Sequence, residues 1–337
     1  DTTILNSLKK MDELGVKSLM VLDDKQKFFG IVSIGDIQRA IIRNQSLEDN
    51  IITILRSNPK VGSVGSTLIK VKELMIKYRM ELYPIISDSN DIIDCYFWED
   101  VFPSSKVSPL GSFDLPVVIM AGGQGTRLRP LTNVLPKALI PLNTKSILEE
   151  IFERFALHGC SDFFLTVNYK AEFIKYYLST VDLSHKVVFI EEEKPLGTAG
   201  SLALLKGYLH GTFFVTNCDI IINQDYSEIL DYHNSMGNDI TIISALKHIP
   251  ITYGTIETGE NGRLVNLIEK PELTLQVNSG MYIFESHVID DLEKAKPIDI
   301  PQLIESQRQK GKRIGVFPVS GKSWIDIGNW QEYYRLL

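Results

Sequence analysis

Two cations, Arg127 and Lys137, follow closely on three glycines, Gly122, Gly123 and Gly125. Glycine lets the backbone bend sharply and approach a ligand, and Arg or Lys neutralises an anion, so the pattern predicts phosphate handling. The main chain of Gly122–Thr126, with Ala121 just ahead of it, offers N–H groups to a phosphate. Two acids lie far downstream, Asp219 in Asn217-Cys-Asp219 and Asp326 in Trp324-Ile-Asp-Ile-Gly328. They are hard oxygen ligands suited to Mg²⁺, which keeps waters and bridges substrate phosphates. Each residue also has an ordinary reading: Arg127 and Lys137 as solvated charges, Asp219 as a cap, Asp326 as a turn residue, Glu269–Lys270 as an exposed ion pair of little worth.

The elements that must hold these residues can be read from periodicity. Val117-Val-Ile-Met120 is a buried strand running into the glycines. Ser146 starts a helix, with Glu149 as its capping-box partner and Gly159 as its stop. Strands are predicted at Phe163–Val167, Val187–Ile190, Phe213–Thr216 and Ile240–Ala245, with helices at Ala171–Leu178, Ser201–Tyr208 and Tyr226–Asn234. This alternation predicts an α/β fold with a Rossmann-like, mainly parallel sheet and helices on both faces. Ligands of such sheets sit beyond the strands' carboxyl ends, where both the glycine loop and Asp219 fall. From about residue 246, strand-like segments at Gly254–Glu257, Leu264–Glu269 and Gly280–Phe284 predict an antiparallel excursion over the pocket.

Two other phosphate loops fail on spacing. The dinucleotide fingerprint would need Gly where Leu128 stands, and the P-loop would need Gly where Val316 stands ahead of Gly321-Lys-Ser323. Gly122-Gly-Gln-Gly-Thr-Arg-Leu-Arg-Pro-Leu-Thr132 with Pro136-Lys137 instead resembles the sugar-1-phosphate nucleotidyltransferases. The resemblance continues in order through Glu191-Glu-Glu-Lys-Pro-Leu-Gly-Thr-Ala-Gly-Ser201, Asn217-Cys-Asp219, Glu269-Lys-Pro271, Asn278-Ser-Gly-Met281 and Trp324–Gly328, covering nearly all of residues 115–337. It implies an NTP and a sugar 1-phosphate as substrates and an NDP-sugar and pyrophosphate as products. It also implies Mg²⁺ on Asp219 and Asp326, Arg127 on the leaving pyrophosphate, and Lys137 at the reacting phosphates. Lys270 would hold the sugar phosphate, and Gly254, Glu269 and Asn278 the sugar hydroxyls.

Glu192, Gly197, Thr198 and Gly200 belong to the segment expected near the base. Guanine presents two adjacent donors that a carboxylate such as Glu192 or Glu193 can accept, whereas uracil and thymine suit Gln better, which favours GTP; UTP, dTTP or CTP is the alternative. The segment also resembles that of guanylyltransferases acting on mannose 1-phosphate; mannose and heptose phosphates both remain open as acceptors.

Residues 1–101 contain an internal repeat: an offset of 64 places Thr3 on Thr67, Met11 on Met75, Asp24 on Asp88 and Asp36 on Asp100 without a gap. Each copy, about 1–38 and 66–102, reads as helix (Leu5–Leu14; Ile69–Arg79), strand (Ser18–Leu22; Leu82–Ile86), turn, strand and helix start, and the two are expected to pack together. The pattern, in Leu19–Asp24, Gly30–Ile37, Tyr83–Asp88 and Tyr96–Val101, resembles paired CBS domains, a small α+β module over residues 1–102. That implies an adenine nucleotide met by Ser33 and Asp36, with Asp100 in the second copy, where Phe97 replaces the hydroxyl. Asp36 and Asp100 can equally cap helices, and the module can equally serve oligomerisation. Residues 103–114 are Pro-, Ser- and Gly-rich and read as a linker to the catalytic region at 115–337. A CBS pair ahead of such a domain resembles the bacterial glucosamine-1-phosphate guanylyltransferases of legionaminic acid synthesis, which implies an amino sugar.

A net charge of −7 argues against nucleic acid or a membrane surface as partner. Three scattered cysteines suit a reducing cytoplasm, no apolar run reaches a membrane span, and no signal-peptide pattern opens the chain, although Asp1 reads as a truncated start. A homo-oligomer is expected. A nucleotide sensor with a vestigial enzyme domain is the alternative of another class.

Overall fold

The structure is a computed structural model that describes residues 2–78, 80–102, 111–183, 185–328 and 330–335, with Glu99 described in its backbone alone. The chain falls into two compact units, Asp1–Ser108 and Pro109–Leu337, divided inside the predicted linker. Linker residues 103–110 and the predicted helix end at Arg79 lie outside the described residues.

The first unit repeats itself element for element. Helix α1 (Ile4–Leu14), strands β1 (Ser18–Leu22) and β2 (Phe28–Ser33) and helix α2 (Ile34–Ile42) start 64 residues before α3 (Leu68–Tyr78), β4 (Leu82–Ile86), β5 (Ile92–Phe97) and α4 (Trp98–Val101). A short β3 (Gly62–Ser63) runs parallel to β4. Thr3 caps α1 by accepting from the Asn6 N–H, and Gly15 ends it in the left-handed region at φ 70°. The copies meet through equivalent positions. Lys17 pairs with Glu81, and Lys27 reaches Asp91 at 3.0 Å, each pair 64 apart in sequence. Equivalent residues touch in this way only near an approximate two-fold axis between the copies.

The second unit is built on a seven-stranded sheet. Its strands are β6 (Val117–Met120), β9 (Asp162–Val167), β10 (Lys186–Glu191), β11 (Thr212–Asn217), β13 (Ile240–Pro250), β16 (Glu272–Glu285) and β17 (Ile314–Val319), in the order β10-β9-β6-β11-β16-β13-β17. Only β16 is antiparallel to its neighbours. The minor elements are α5 (Leu131–Val134), β7 (Pro141–Leu142), β8 (Lys145–Ser146), α6 (Ile147–Ala156), α7 (Ala171–Thr180), α8 (Gly197–Gly200), β12 (Ile220–Ile222), α9 (Tyr226–Met236), β14 (Thr255–Thr258), β15 (Leu264–Ile268), α10 (Ile300–Gln309), β18 (Trp324–Asp326) and α11 (Trp330–Tyr334).

Alternation along the strands feeds both faces of the sheet. Phe213 and Val215 pack with Leu202, Ala203 and Leu303 on one face. Phe214 and Phe163 pack on the other, against Phe155 and Phe152 of α6. The capping box predicted at Ser146 and Glu149 is present.

Two expectations are corrected. Ser201–Tyr208 is not an α-helix: one α-turn, α8, leads into a 3₁₀ turn at Ser201–Leu205. The backbone leaves helical geometry at Lys206, with ψ 129°, just ahead of Gly207 at φ 81°, so the predicted span cannot continue as one helix. The strand ending at Ala245 and that beginning at Gly280 both run further, since β13 and β16 stay paired out to Pro250 and Glu272.

Candidate active site

Strands β10, β9, β6 and β11 are mutually parallel, so their carboxyl ends share one edge. The segments leaving that edge carry the glycine loop, Glu192 and Asp219, and between them lies a cavity of about 370 Å³. Ten of the residues singled out from sequence line it: Gly122, Gly123, Gly125, Thr126, Arg127, Lys137, Glu192, Gly197, Thr198 and Asp219. Ala121 is buried just beneath, its N–H donating to the Thr166 carbonyl at 2.9 Å. Gly200 is buried, and a Cβ there would lie 2.8 Å from the Lys296 carbonyl oxygen.

Two glycines are needed for space. At Gly122 a Cβ would lie 2.7 Å from Glu192 Oε1. Gly125 has φ 63°, and a Cβ there would strike Thr132 at 2.8 Å. The Thr132 hydroxyl donates to the Gly125 carbonyl and fixes this turn. Glu192 is buried; its Oε2 accepts from the Leu196 N–H at 3.0 Å, and burial raises its pKa. Glu193 is exposed, so Glu192 is the acid the cavity meets.

The charged end of the cavity is tightly coupled. Lys137 Nζ donates to Asp219 Oδ2, and both side chains are largely buried, at 12% and 8% exposure. β12 pairs with β18 so that Ile220 faces Asp326, and the Ile327 N–H donates to the Asp219 carbonyl at 3.0 Å. Burial raises the pKa of Asp326, and the charge of Asp219 adds to it; Lys137 and Arg127 act in the opposite sense. At Gly328 a Cβ would meet Asp326 Oδ1 at 2.5 Å and the Arg127 guanidinium at 3.0 Å. Two carboxylates and two cations therefore converge, although the sequence separates them widely.

These carboxylates suit a divalent cation. Asp326 Oδ1 is buried without a hydrogen-bond partner. Among the described residues no group of three or more His, Cys, Asp or Glu forms a metal cage. Two carboxylates completed by water and phosphate are what Mg²⁺ takes.

Of the other expected residues, Asp326, Gly254, Glu269, Lys270 and Asn278 do not line the cavity, although Asp326 lies against Gly328, which does. Gly254 and Glu269 lie together at the open end of the β14–β15 ribbon, where a Cβ on Gly254 would sit 3.0 Å from Glu269 Oε2. Lys270 follows with φ 47°, and all three are exposed. Asn278 donates to the Tyr282 hydroxyl at 2.7 Å. Cys218 lines the cavity, but burial and then the Asp219 charge push its thiol up to about 12, so it is no nucleophile.

In the first unit, Ser33 and Asp36 form a capping box on α2. Asp36 also accepts from Arg39 and, at 2.9 Å, from Arg56. Asp100 is exposed on α4, whose N-cap, Phe97, makes no side-chain hydrogen bond.

Sequence reasoning missed Thr166, Ser201, Asn217 and Gly328 as cavity-lining residues. Ser201, Asn217 and Gly328 stood inside quoted motifs, but Thr166 gave no signal beyond its place at a strand end.

The family profile described as nucleotidyl transferase matches residues 116–337. The chain belongs to the nucleotidyl transferase family. A CBS-domain profile matches residues 1–43, the first repeat. The chain is 34% identical over 223 residues to the mannose-1-phosphate guanylyltransferase catalytic subunit beta of Drosophila melanogaster, a match covering 64% of this chain and 60% of that protein. It is 30% identical over 231 residues to a mannose-1-phosphate guanylyltransferase of Mycobacterium tuberculosis, covering 67% and 64% of the two chains. Among solved structures, HddC from Yersinia pseudotuberculosis complexed with GMP-PN aligns with a TM-score of 0.52 and 27% identity, over 66% of this chain and 97% of that one. No helix among the described residues is long and apolar enough to cross a membrane.

Proposed function

We propose that this nucleotidyl transferase moves a guanylyl group from GTP to a sugar 1-phosphate, releasing pyrophosphate, with glucosamine 1-phosphate as acceptor. The observation that carries the reading is the convergence of Arg127, Lys137 and Asp219, which line the glycine-loop cavity, with Asp326 close beside them. An oxygen of the sugar phosphate attacks the α-phosphorus, forming one P–O bond as the bond to the β-phosphate bridging oxygen breaks. The protein's part is positioning and charge neutralisation. Main-chain N–H groups of Gly122–Thr126 hold the triphosphate, and Arg127 draws charge from the leaving pyrophosphate. Lys137 steadies the reacting phosphates. Asp219 and Asp326 would hold Mg²⁺, which when bound neutralises phosphate charge. Lys270 meets the sugar phosphate, and Gly254, Glu269 and Asn278 the sugar hydroxyls.

Burial of Glu192 in the cavity supports guanine, because a dry carboxylate can accept from both N1–H and the 2-amino group. The names of the relatives support guanine too, and they favour a second acceptor, mannose 1-phosphate. The amino sugar rests on the likeness of the two-part architecture to the legionaminic acid enzymes. Residues 1–102 act as a paired CBS module that binds an adenine nucleotide or assembles a homo-oligomer in the cytoplasm.

The test is a pyrophosphate-release screen of GTP, ATP, UTP and CTP against glucosamine, mannose and heptose 1-phosphates. Turnover with GTP alone supports the base assignment, and the best acceptor names the sugar. Silence with every pair would leave a nucleotide sensor with a vestigial enzyme domain.

A further inference from the structure

The contact between Lys137 and Asp219 carries a consequence for how a cation reaches this site. The Lys137 ammonium lies on Asp219 Oδ2, with little of either side chain exposed. Beside them, Asp326 Oδ1 is sealed from solvent and has no partner. One of the two carboxylates that suit a divalent cation is thus already held by the protein's own cation.

We propose that Lys137 is the resident cation of the Asp219–Asp326 site in the free protein, and that it leaves Asp219 only when an incoming triphosphate draws it away. The inference rests on the cation role proposed above for Asp219 and Asp326. An ammonium and a divalent ion cannot both lie against one small, buried carboxylate without strong mutual repulsion, because screening is weak away from water. The four ionisable groups of the free site, Arg127, Lys137, Asp219 and Asp326, already balance in formal charge. Adding a divalent ion alone leaves an excess of positive charge. Adding it with a triphosphate supplies both negative charge and oxygens onto which Lys137 can move. Lys137 is suited to the exchange: it is a point charge on a flexible stem, not a planar fork. It leaves from a short 3₁₀ turn, Lys137–Leu139, that contacts α6 and buries Ala138 and Leu139, so the side chain can move while its backbone stays fixed. Divalent cation and nucleotide therefore enter together, and the free protein binds the cation poorly.

Mn²⁺ binding to the free, full-length protein tests this without any turnover, by the paramagnetic resonance signal of unbound Mn²⁺. Lys137→Met should bind Mn²⁺ at least about tenfold more tightly than the unaltered protein. Arg127→Met removes the same charge near Asp326 but leaves the Asp219 contact, so its gain should be clearly smaller. Lys137→Gln is the second variant should Lys137→Met fold poorly, with thermal melting as the check on each. Unchanged or weaker Mn²⁺ binding in both Lys137 variants would overturn the inference, as would equal gains from the Lys137 and Arg127 changes. If Asp219→Asn in the Lys137→Met background leaves tight binding intact, the cation role of Asp219 itself fails, a different result from failure of the Lys137 exchange.

Discussion

Asp326 in the second unit and Asp36 in the first are both buried or half-buried carboxylates with arginine beside them, and both were singled out from sequence. Asp36 is saturated: it accepts from the Ser33 backbone and hydroxyl, from Arg39 and from Arg56. Despite desolvation, the Ser33 and Arg56 hydrogen bonds hold its pKa below the ordinary carboxylate value. Asp326 has one buried oxygen with nothing to accept from, and burial and Asp219 hold its pKa above the ordinary value. One carboxylate is satisfied by its own chain and stabilises a helix start. The other keeps one buried oxygen unsatisfied, a cost that a fold tolerates where a ligand completes the site. The same residue type thus reads as structure in one unit and as site in the other, and the partners decide which.

The largest effect expected from breaking this contrast is at Asp219. Asp219→Asn keeps the shape of the side chain but removes the charge shared with Lys137 and felt by Asp326. Pyrophosphate release should fall by at least about 10²–10³-fold, the scale on which one preorganised charge acts on a transition state. Far-UV circular dichroism should be unchanged. Full turnover in this variant, or in EDTA, would remove the metal from the reading. Arg127→Met should come next, with a loss of about 10²-fold in kcat, because its guanidinium meets charge that develops on the leaving group. A change confined to KM would place Arg127 in ground-state binding instead.

Glu192 sharpens the contrast from the opposite side. Its raised pKa comes from burial, so its ionised form weakens the fold, and the penalty sets in as pH rises above the ordinary carboxylate value. Glu192→Gln should therefore raise the melting temperature at neutral pH by about 2–4 °C, and the gain should vanish in acid. The same change should cut kcat/KM for GTP by about tenfold or more, since an amide cannot accept from both guanine donors. Stability gained with GTP use unimpaired would mean that the base lies elsewhere.

What sequence could show follows the same division. The parallel strands, the capping box at Ser146 and the repeat in the first unit were legible because each depends on local periodicity or on a fixed offset. The repeat was legible to the residue, since β1 and β4, and β2 and β5, start 64 apart. The glycine loop and its cations were legible from residue types and order. The Lys137–Asp219 contact was not, because it joins residues 82 apart through the order of four strands. Nor could sequence separate Glu192 from Glu193, which the bend just after β10 sorts into cavity and solvent. The helix predicted over Ser201–Tyr208 failed because its span contains Gly207, which takes φ 81°, and the backbone leaves helical geometry one residue earlier, at Lys206.

The smallest effect tests the satisfied partner. Asp36→Asn leaves Arg39 and Arg56 without their acceptor charge and weakens the start of α2, and the first unit should lose about 1–3 kcal/mol in urea unfolding. The sign with pH is set by the lowered folded-state pKa. The contribution of Asp36 is fully present above the carboxylate's unfolded value and is lost as pH falls through its folded value, so parent and variant should converge in strong acid. Pyrophosphate release under saturating substrates should stay within about twofold, because the change touches no residue of the glycine-loop cavity. If Asp36→Asn instead leaves the unfolding midpoint unmoved and abolishes binding of an adenine nucleotide, Asp36 is a ligand contact like Asp326, and the contrast between the two carboxylates collapses.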